Sequence, residues 1–420
     1  MRVWIRTFFV VSTLYAADPQ QLTLALKAQA DYDRVALAPL PHLGDIGNCV
    51  QSQAAVLPVS APEETSLFYF RRGYCTLAGA TITGNREEYA TAAADFDRAI
   101  EAWPARIRRP SKKQVPEPVS SGLRILPWVA RLHTSLDAAA QQQAQQQIAA
   151  AVEESSCTSN LMPATQCEQI VSTGHEWLGW MALGRRDLAT AAQQFVATHD
   201  TGWPEWVDGQ RQFEQGNYTE AVRQERRAIT AWKAMWQDGG PTLVRRLGPA
   251  PNIPIAQADL GGAQLLAGDG RGAIATLDAS LKAKPGNPAA LYRRARAHDA
   301  AGEADAALAD YGMASRVAFA DTKELASGEA HLYRGIMLFR RKDFARAEDE
   351  FSSALNFEIP ETLRADAQAW RHMAAVAGGS CVSEKELLTR GLASVSPYFP
   401  KQEARQVASV CGVSSKAGVQ

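Results

Sequence analysis

The sequence predicts an all-α chain built from stacked helical hairpins. Three observations predict it. Ala, Leu, Gln, Glu and Arg dominate, and these residues lose little side-chain entropy in a helix. Apolar residues recur at helical spacing in segments broken by Gly, Asn or Pro about every dozen residues. The alternating Val/Ile/Thr runs that signal strands are missing. Hydrophobic residues make up 46% and charged residues 21% of the 420, near the globular average, so most of the chain can bury a core. The formal net charge of −1 lacks the Lys/Arg excess that phosphate binding needs, so no nucleic-acid partner is expected.

Taken in order, residues 1–17 carry Arg2 and Arg6, an apolar run from Thr7 to Tyr15, and the small pair Ala16-Ala17. That layout predicts a secretory signal peptide cut near Ala16-Ala17, and delivery to the periplasm or the exterior. No later apolar run approaches the roughly 20 residues that span a bilayer, so no integral membrane span is expected. Residues 18–64 read as an N-terminal helical segment, and 65–105 as one helical hairpin. Residues 106–137 are a proline-rich linker and a helix, and 138–200 an irregular helical stretch that opens on an Ala/Gln-biased segment. Residues 201–360 form a hairpin array, and 361–420 capping helices. Within the caps, Ser383 with Glu386 at the capping-box offset starts a final helix.

The hairpin is clearest in LYRRARAHDAAGEADAALADYGMA, Leu291 to Ala314. Leu291, Arg294, Ala295 and His298 share one stripe of a first helix, and Gly302 breaks it. Ala307, Tyr311 and Ala314 share a stripe of a second helix. Small Ala295 and Ala307 allow close backbone approach, and Leu291 and Tyr311 fill the space around them. One such hairpin is too small to be stable alone, whereas stacked copies bury a shared core. The pattern repeats. Gly261, Gly268, Ala273, Leu277 and Ser280 lie thirty-four residues earlier in register. Gly335, Phe344, Ala347, Phe351 and Ala354 keep the offsets later in the chain. Gly209, Gly216, Tyr218, Ala221 and Ala228 supply another copy, and Gly73, Tyr89, Ala92, Phe96 and Ala99 one with a longer loop. Gly184, Leu188, Ala191 and Phe195 are a weaker copy.

On these residues about half of the chain resembles the tetratricopeptide repeat (TPR) family, whose 34-residue helix–turn–helix units carry small residues, an aromatic and a proline at fixed offsets. The resemblance implies a right-handed superhelical α-solenoid. It also implies a concave groove, lined by first helices, that receives a segment of a partner protein. The first-helix residues Tyr292, Arg296, Tyr333 and Phe339 are the candidates for that surface. The Lys and Asn with which some family members grip a terminal carboxylate are absent: Tyr292, Arg293, Arg296, Leu332, Tyr333 and Ile336 stand at those positions.

Cysteines 49, 75, 157, 167, 381 and 411 fall as three neighbouring pairs. In an oxidising compartment sequential pairing is expected, Cys49–Cys75, Cys157–Cys167 and Cys381–Cys411. Each closed loop would contribute about 3 kcal/mol. No cysteine pair or histidine has zinc-site spacing, so no metal or other cofactor is expected. No nucleophile elbow, zinc-protease helix, P-loop or dinucleotide fingerprint occurs. His298, His331 and His372 read as half-buried helical residues, and paired arginines such as Arg293-Arg294 as solvated helix faces. Six of the ten tryptophans, Trp177, Trp180, Trp203, Trp206, Trp232 and Trp236, crowd into sixty residues. Packing between irregular repeats is the first reading. A glycan or peptide platform at Trp203 and Trp206 is the second. The function expected is a non-catalytic protein–protein interaction scaffold, in an exported compartment of a bacterium and within an envelope complex. The alternatives are a glycan-binding or enzyme-accessory module with a Trp-rich face, and an intracellular scaffold with reduced cysteines.

Overall fold

The computed structural model describes residues 19–37, 42–56, 62–102, 118–155, 157, 164–198, 202–237, 247–249, 251–316, 327–357 and 359–379. All the regular structure there is helical. The expected signal peptide, the final helix at Ser383 and the pair Cys381–Cys411 lie outside these residues. The chain divides into two compact units, 1–211 with 227–251 and 212–226 with 252–420. The division falls inside the stretch 201–360 that reads as a single array. Between the helix ending at Gln237 and the next at Ile253 the described residues carry no helix to continue the stack. Within the described residues no helix is long and apolar enough to cross a membrane.

Among the described residues the first unit begins with α1 (Pro19–Leu37) packed on α2 (Leu43–Ala55). A hairpin of α3 (Pro62–Thr83) and α4 (Arg86–Ala102) follows, then α5 (Pro118–Leu132) and α6 (Ala138–Glu153). The hairpin of α7 (Ala164–Gly184) and α8 (Leu188–Val196) comes next. Phe70, Tyr74, Phe96, Ile125, Leu126, Ile148 and Ile170 form one continuous core with α5 at its centre, against α4, α6 and α7. Cys49 and Cys75 join α2 to α3 with Cα atoms 5.8 Å apart, and Cys157 and Cys167 are 5.5 Å apart at the start of α7. Both pairs match the sequential expectation. The hairpin of α9 (Trp203–Glu214) and α10 (Tyr218–Gln237) is divided between the two units.

Among the described residues from 252 on, the second unit shows three hairpins and one further helix. The hairpins are α11 (Ile253–Leu266) with α12 (Gly270–Ala283), α13 (Pro288–Ala300) with α14 (Ala304–Ala314), and α15 (Ser327–Arg340) with α16 (Phe344–Leu355). Helix α17 (Glu361–Ala377) packs on α16. Ala295, Ala307, Tyr311 and Ala314 are fully buried, as their spacing requires. In each hairpin a small residue on the first helix faces a large one on the second. A Cβ added at Gly335 would sit 2.6 Å from the Phe351 ring, and one at Gly261 2.5 Å from Leu277. In the first unit Gly73 meets Phe96 at 3.1 Å and Gly179 meets Phe195 at 2.9 Å. These stacked helix–turn–helix units are an all-α solenoid of the kind the sequence predicts.

The turns obey one rule. In the five hairpins from α7 to α16 a residue just after the first helix has positive φ, and the next N–H reaches back to the helix's final turn, as with Glu303 to the His298 carbonyl at 2.8 Å. Glycine holds that place at Gly216, Gly268 and Gly302, but Arg186 (φ 59°) and Lys342 (φ 63°) hold it in two hairpins. Side chains with a Cβ are strained there. Lys342→Gly is therefore expected to stabilise the second unit by about 0.5–1 kcal/mol, and Gly302→Ala to weaken it by about 1 kcal/mol. Urea unfolding of the two variants checks the pair, and a destabilised Lys342→Gly would contradict the turn assignment. The second helices then start on Asp187, Asp269 and Asp343, whose carboxylates accept N–H bonds from Thr190, Gly272 and Arg346.

Candidate functional site

The first-helix candidates separate by depth. Tyr292 on α13 is 4% exposed; its ring lies edge-on to Tyr311 at 6.1 Å and 5.9 Å from Tyr333. Phe339 on α15 is 8% exposed, between Phe344 at 5.1 Å and Trp370 of α17 at 5.3 Å. Both were expected on the groove surface. They belong instead to the core, because the adjacent hairpin or α17 covers their rings. Arg296 and Tyr333 are half-buried, with the Arg296 guanidinium 5.4 Å above the Tyr333 ring. Tyr311 and Tyr333 stack at 6.2 Å and 15°.

Glu329 completes this cluster from the first turn of α15. Burial raises its carboxyl pKa above the ordinary value, while the Tyr292 hydroxyl, which donates to it, and the Arg296 charge pull it down. Burial holds the Tyr292 phenol well above its ordinary value, so that hydroxyl stays protonated and remains a donor. The visible surface is thus a guanidinium, a phenol and a carboxyl on two neighbouring first helices. Buried Tyr292 and Tyr311 hold it from behind.

The crowded tryptophans belong to the first unit. Trp203 is 3% exposed and stacks on Phe195 at 4.9 Å and 6°, with Trp232 edge-on at 5.2 Å. A sugar platform needs a bare ring face, which Trp203 does not offer, so the glycan reading fails at that residue. Trp206 is half-buried, 5.8 Å from Trp203. Trp177 is buried and donates its indole N–H to the Leu247 carbonyl at 2.8 Å. Packing accounts for Trp177, Trp203 and Trp232, whereas Trp180 is 47% exposed.

Ion pairs across the hairpins are the feature the sequence reading missed. Arg294 grips Asp310 through Nε and Nη2, each at 2.7 Å, and also reaches Asp278 at 2.6 Å. Arg334 reaches Glu350 at 2.6 Å, again sixteen residues on. Arg72 and Asp95 make the same fork across the longer-looped first hairpin. Arg294 is therefore a hairpin clamp rather than a solvated charge. The signal was present: each Arg directly precedes the small residue of its first helix, and each acid precedes the large residue of its second. His331 and His175 sit on first helices too, bonded to Glu350 at 2.7 Å and Gln194 at 2.8 Å. Among the described residues no three His, Cys, Asp or Glu side chains group as metal ligands would.

No protein-family model matches the chain, and no curated protein matches it. Among solved structures, the yeast Tom70 crystal structure is 11% identical, covers 88% of this chain and 86% of its own, and has a TM-score of 0.36. A monomeric IFIT1 mutant with m7Gppp-AAAA is 11% identical over 88% and 87%, at 0.38. The APC/C hetero-tetramer Cut9–Hcn1 is 10% identical over 92% and 82%, at 0.31. Overlaps this loose add nothing to the fold, which rests on the hairpin repeat itself.

Proposed function

We propose that the chain is a non-catalytic scaffold for protein–protein interaction. The first helices α13 and α15 receive a segment of a partner protein. The observation that carries this reading is the Arg296–Tyr333–Glu329 cluster, whose groups are partly exposed on two adjacent repeats and backed by buried aromatic rings. Tyr and Arg are the residues that dominate binding hot spots, and a rigid backing lowers the ordering cost of association. The Arg296 fork suits an acidic side chain or a backbone carbonyl, while the Tyr333 ring suits an apolar neighbour. Selection of a random displayed peptide library on the immobilised full chain tests this. Enriched peptides should bind at least about tenfold more weakly to Arg296→Ala and Tyr333→Ala, a typical hot-spot loss. Peptides that bind both variants undiminished would overturn the reading.

We further propose an oxidising, exported compartment, periplasmic or extracellular. The two cysteine pairs at bonding distance and the basic–apolar–small pattern of residues 1–17 support it. Protein taken from its own cells, denatured without reductant and titrated with a thiol reagent, is expected to show no free thiol. Six free thiols would sink both disulfides and export, and would leave the intracellular scaffold.

A further inference from the structure

A second stripe of α15 opens on a pocket that the partner face does not use. Arg334 and Leu338 lie at helical spacing on it, apart from the stripe that carries Glu329 and Tyr333, and Arg341 follows the helix's last residue. Together with Leu308 of α14 and Asp343 and Arg346 at the start of α16, they line a cavity of about 500 Å³. That size is within the range of small-ligand sites. The lining sets three guanidinium groups against one carboxylate.

The existing pairings leave donors over. Arg334 bonds Glu350 through Nη1 at 2.6 Å, its guanidinium lies against Gly312 of α14, and its buried Nε–H has no acceptor. Arg341 pairs through Nη2 with Asp305 at 2.7 Å, a carboxylate 93% exposed. Exposed pairs of that kind contribute little, so a ligand carboxylate can replace Asp305 at low cost. Arg346 holds Asp343 at the rim. Leu338 is 4% exposed and with Leu308 supplies an apolar wall.

We propose that this pocket binds a carboxylate carried on a small apolar body. The guanidinium fork matches a carboxylate in two parallel bonds, and the leucines take the carbon chain out of water. A free organic acid and the carboxylate end of a polypeptide share this chemistry.

Titration calorimetry on the full chain tests it with hexanoate, N-acetyl-glycyl-leucine, hexanamide and inorganic phosphate. Hexanoate should bind at one site with Kd of about 1 mM or tighter, the order expected for eight non-hydrogen atoms. Hexanamide should not bind. Arg341→Gln, an exposed position whose folding circular dichroism verifies, should weaken hexanoate by about tenfold or more. If the acetylated dipeptide binds about tenfold tighter than hexanoate, the source is a chain end; equal binding assigns a free acid. No saturable hexanoate binding, binding indifferent to Arg341→Gln, or phosphate binding as tight as hexanoate would each overturn the proposal. The peptides selected on Arg296 and Tyr333 are read out separately, so either proposal can fail alone.

Discussion

Gly335→Leu is expected to cost the second unit at least about 3 kcal/mol, a large share of the stability of a small domain. A single added Cβ would stand 2.6–3.0 Å from three atoms of the Phe351 ring, and leucine adds three carbons beyond it. The ring cannot retreat. Phe351 is fully buried and stacked on Trp370 at 5.9 Å and 21°, so moving it displaces α17 as well. Gly335→Ala should lose less, because the better helix propensity of alanine, about 1 kcal/mol, offsets part of the crowding. Gly286, with nothing within 4 Å, is the control, and Gly286→Ala should change stability by no more than about 0.5 kcal/mol. Urea unfolding followed by far-UV circular dichroism measures all three. A Gly335→Leu protein as stable as the parent would mean that the two helices do not meet through this glycine.

Trp232→Ala is expected to destabilise the first unit by about 3–5 kcal/mol. Trp232 is 1% exposed and wedged between Trp203 and the backbone at Gly202, where a Cβ would fall 2.0 Å from the indole nitrogen. The indole N–H groups of Trp203, Trp206 and Trp232 have no acceptor, so their contribution is ring packing rather than hydrogen bonding. Trp206, half-buried, should cost only about 1–2 kcal/mol as alanine. Tryptophan fluorescence and urea unfolding together check the pair. A Trp232→Ala chain with unchanged stability and altered sugar binding would return the cluster to the glycan reading.

The hairpin itself was legible because it is local. Ala295, Gly302, Ala307 and Tyr311 report on contacts within one unit of about 25 residues, and spacing alone places them. Depth was less legible. Tyr292 and Arg296 are four residues apart and share a face, yet the Tyr292 ring turns inward to Tyr311 while Arg296 remains partly exposed. Phe339 is covered by Trp370 from α17, and Trp177 is capped by a carbonyl seventy residues away. No local pattern encodes such contacts. The left-handed turn residues Arg186 and Lys342 escaped for a different reason: a charged residue in that place hides a turn that glycine would have announced. The Arg-to-acid forks needed the repeats aligned as pairs of helices, since only the recurrence of the sixteen-residue offset distinguishes a clamp from a surface charge.

A partner segment is proposed to dock on the first-helix face of the second unit. Photo-crosslinking tests it most directly, with benzoyl-phenylalanine placed at position 333 in the cells that make the protein, and at Ala345, exposed on α16, as the comparison. A discrete partner adduct is expected from position 333 and none from position 345. An adduct to the same partner from 345 with none from 333 would contradict it.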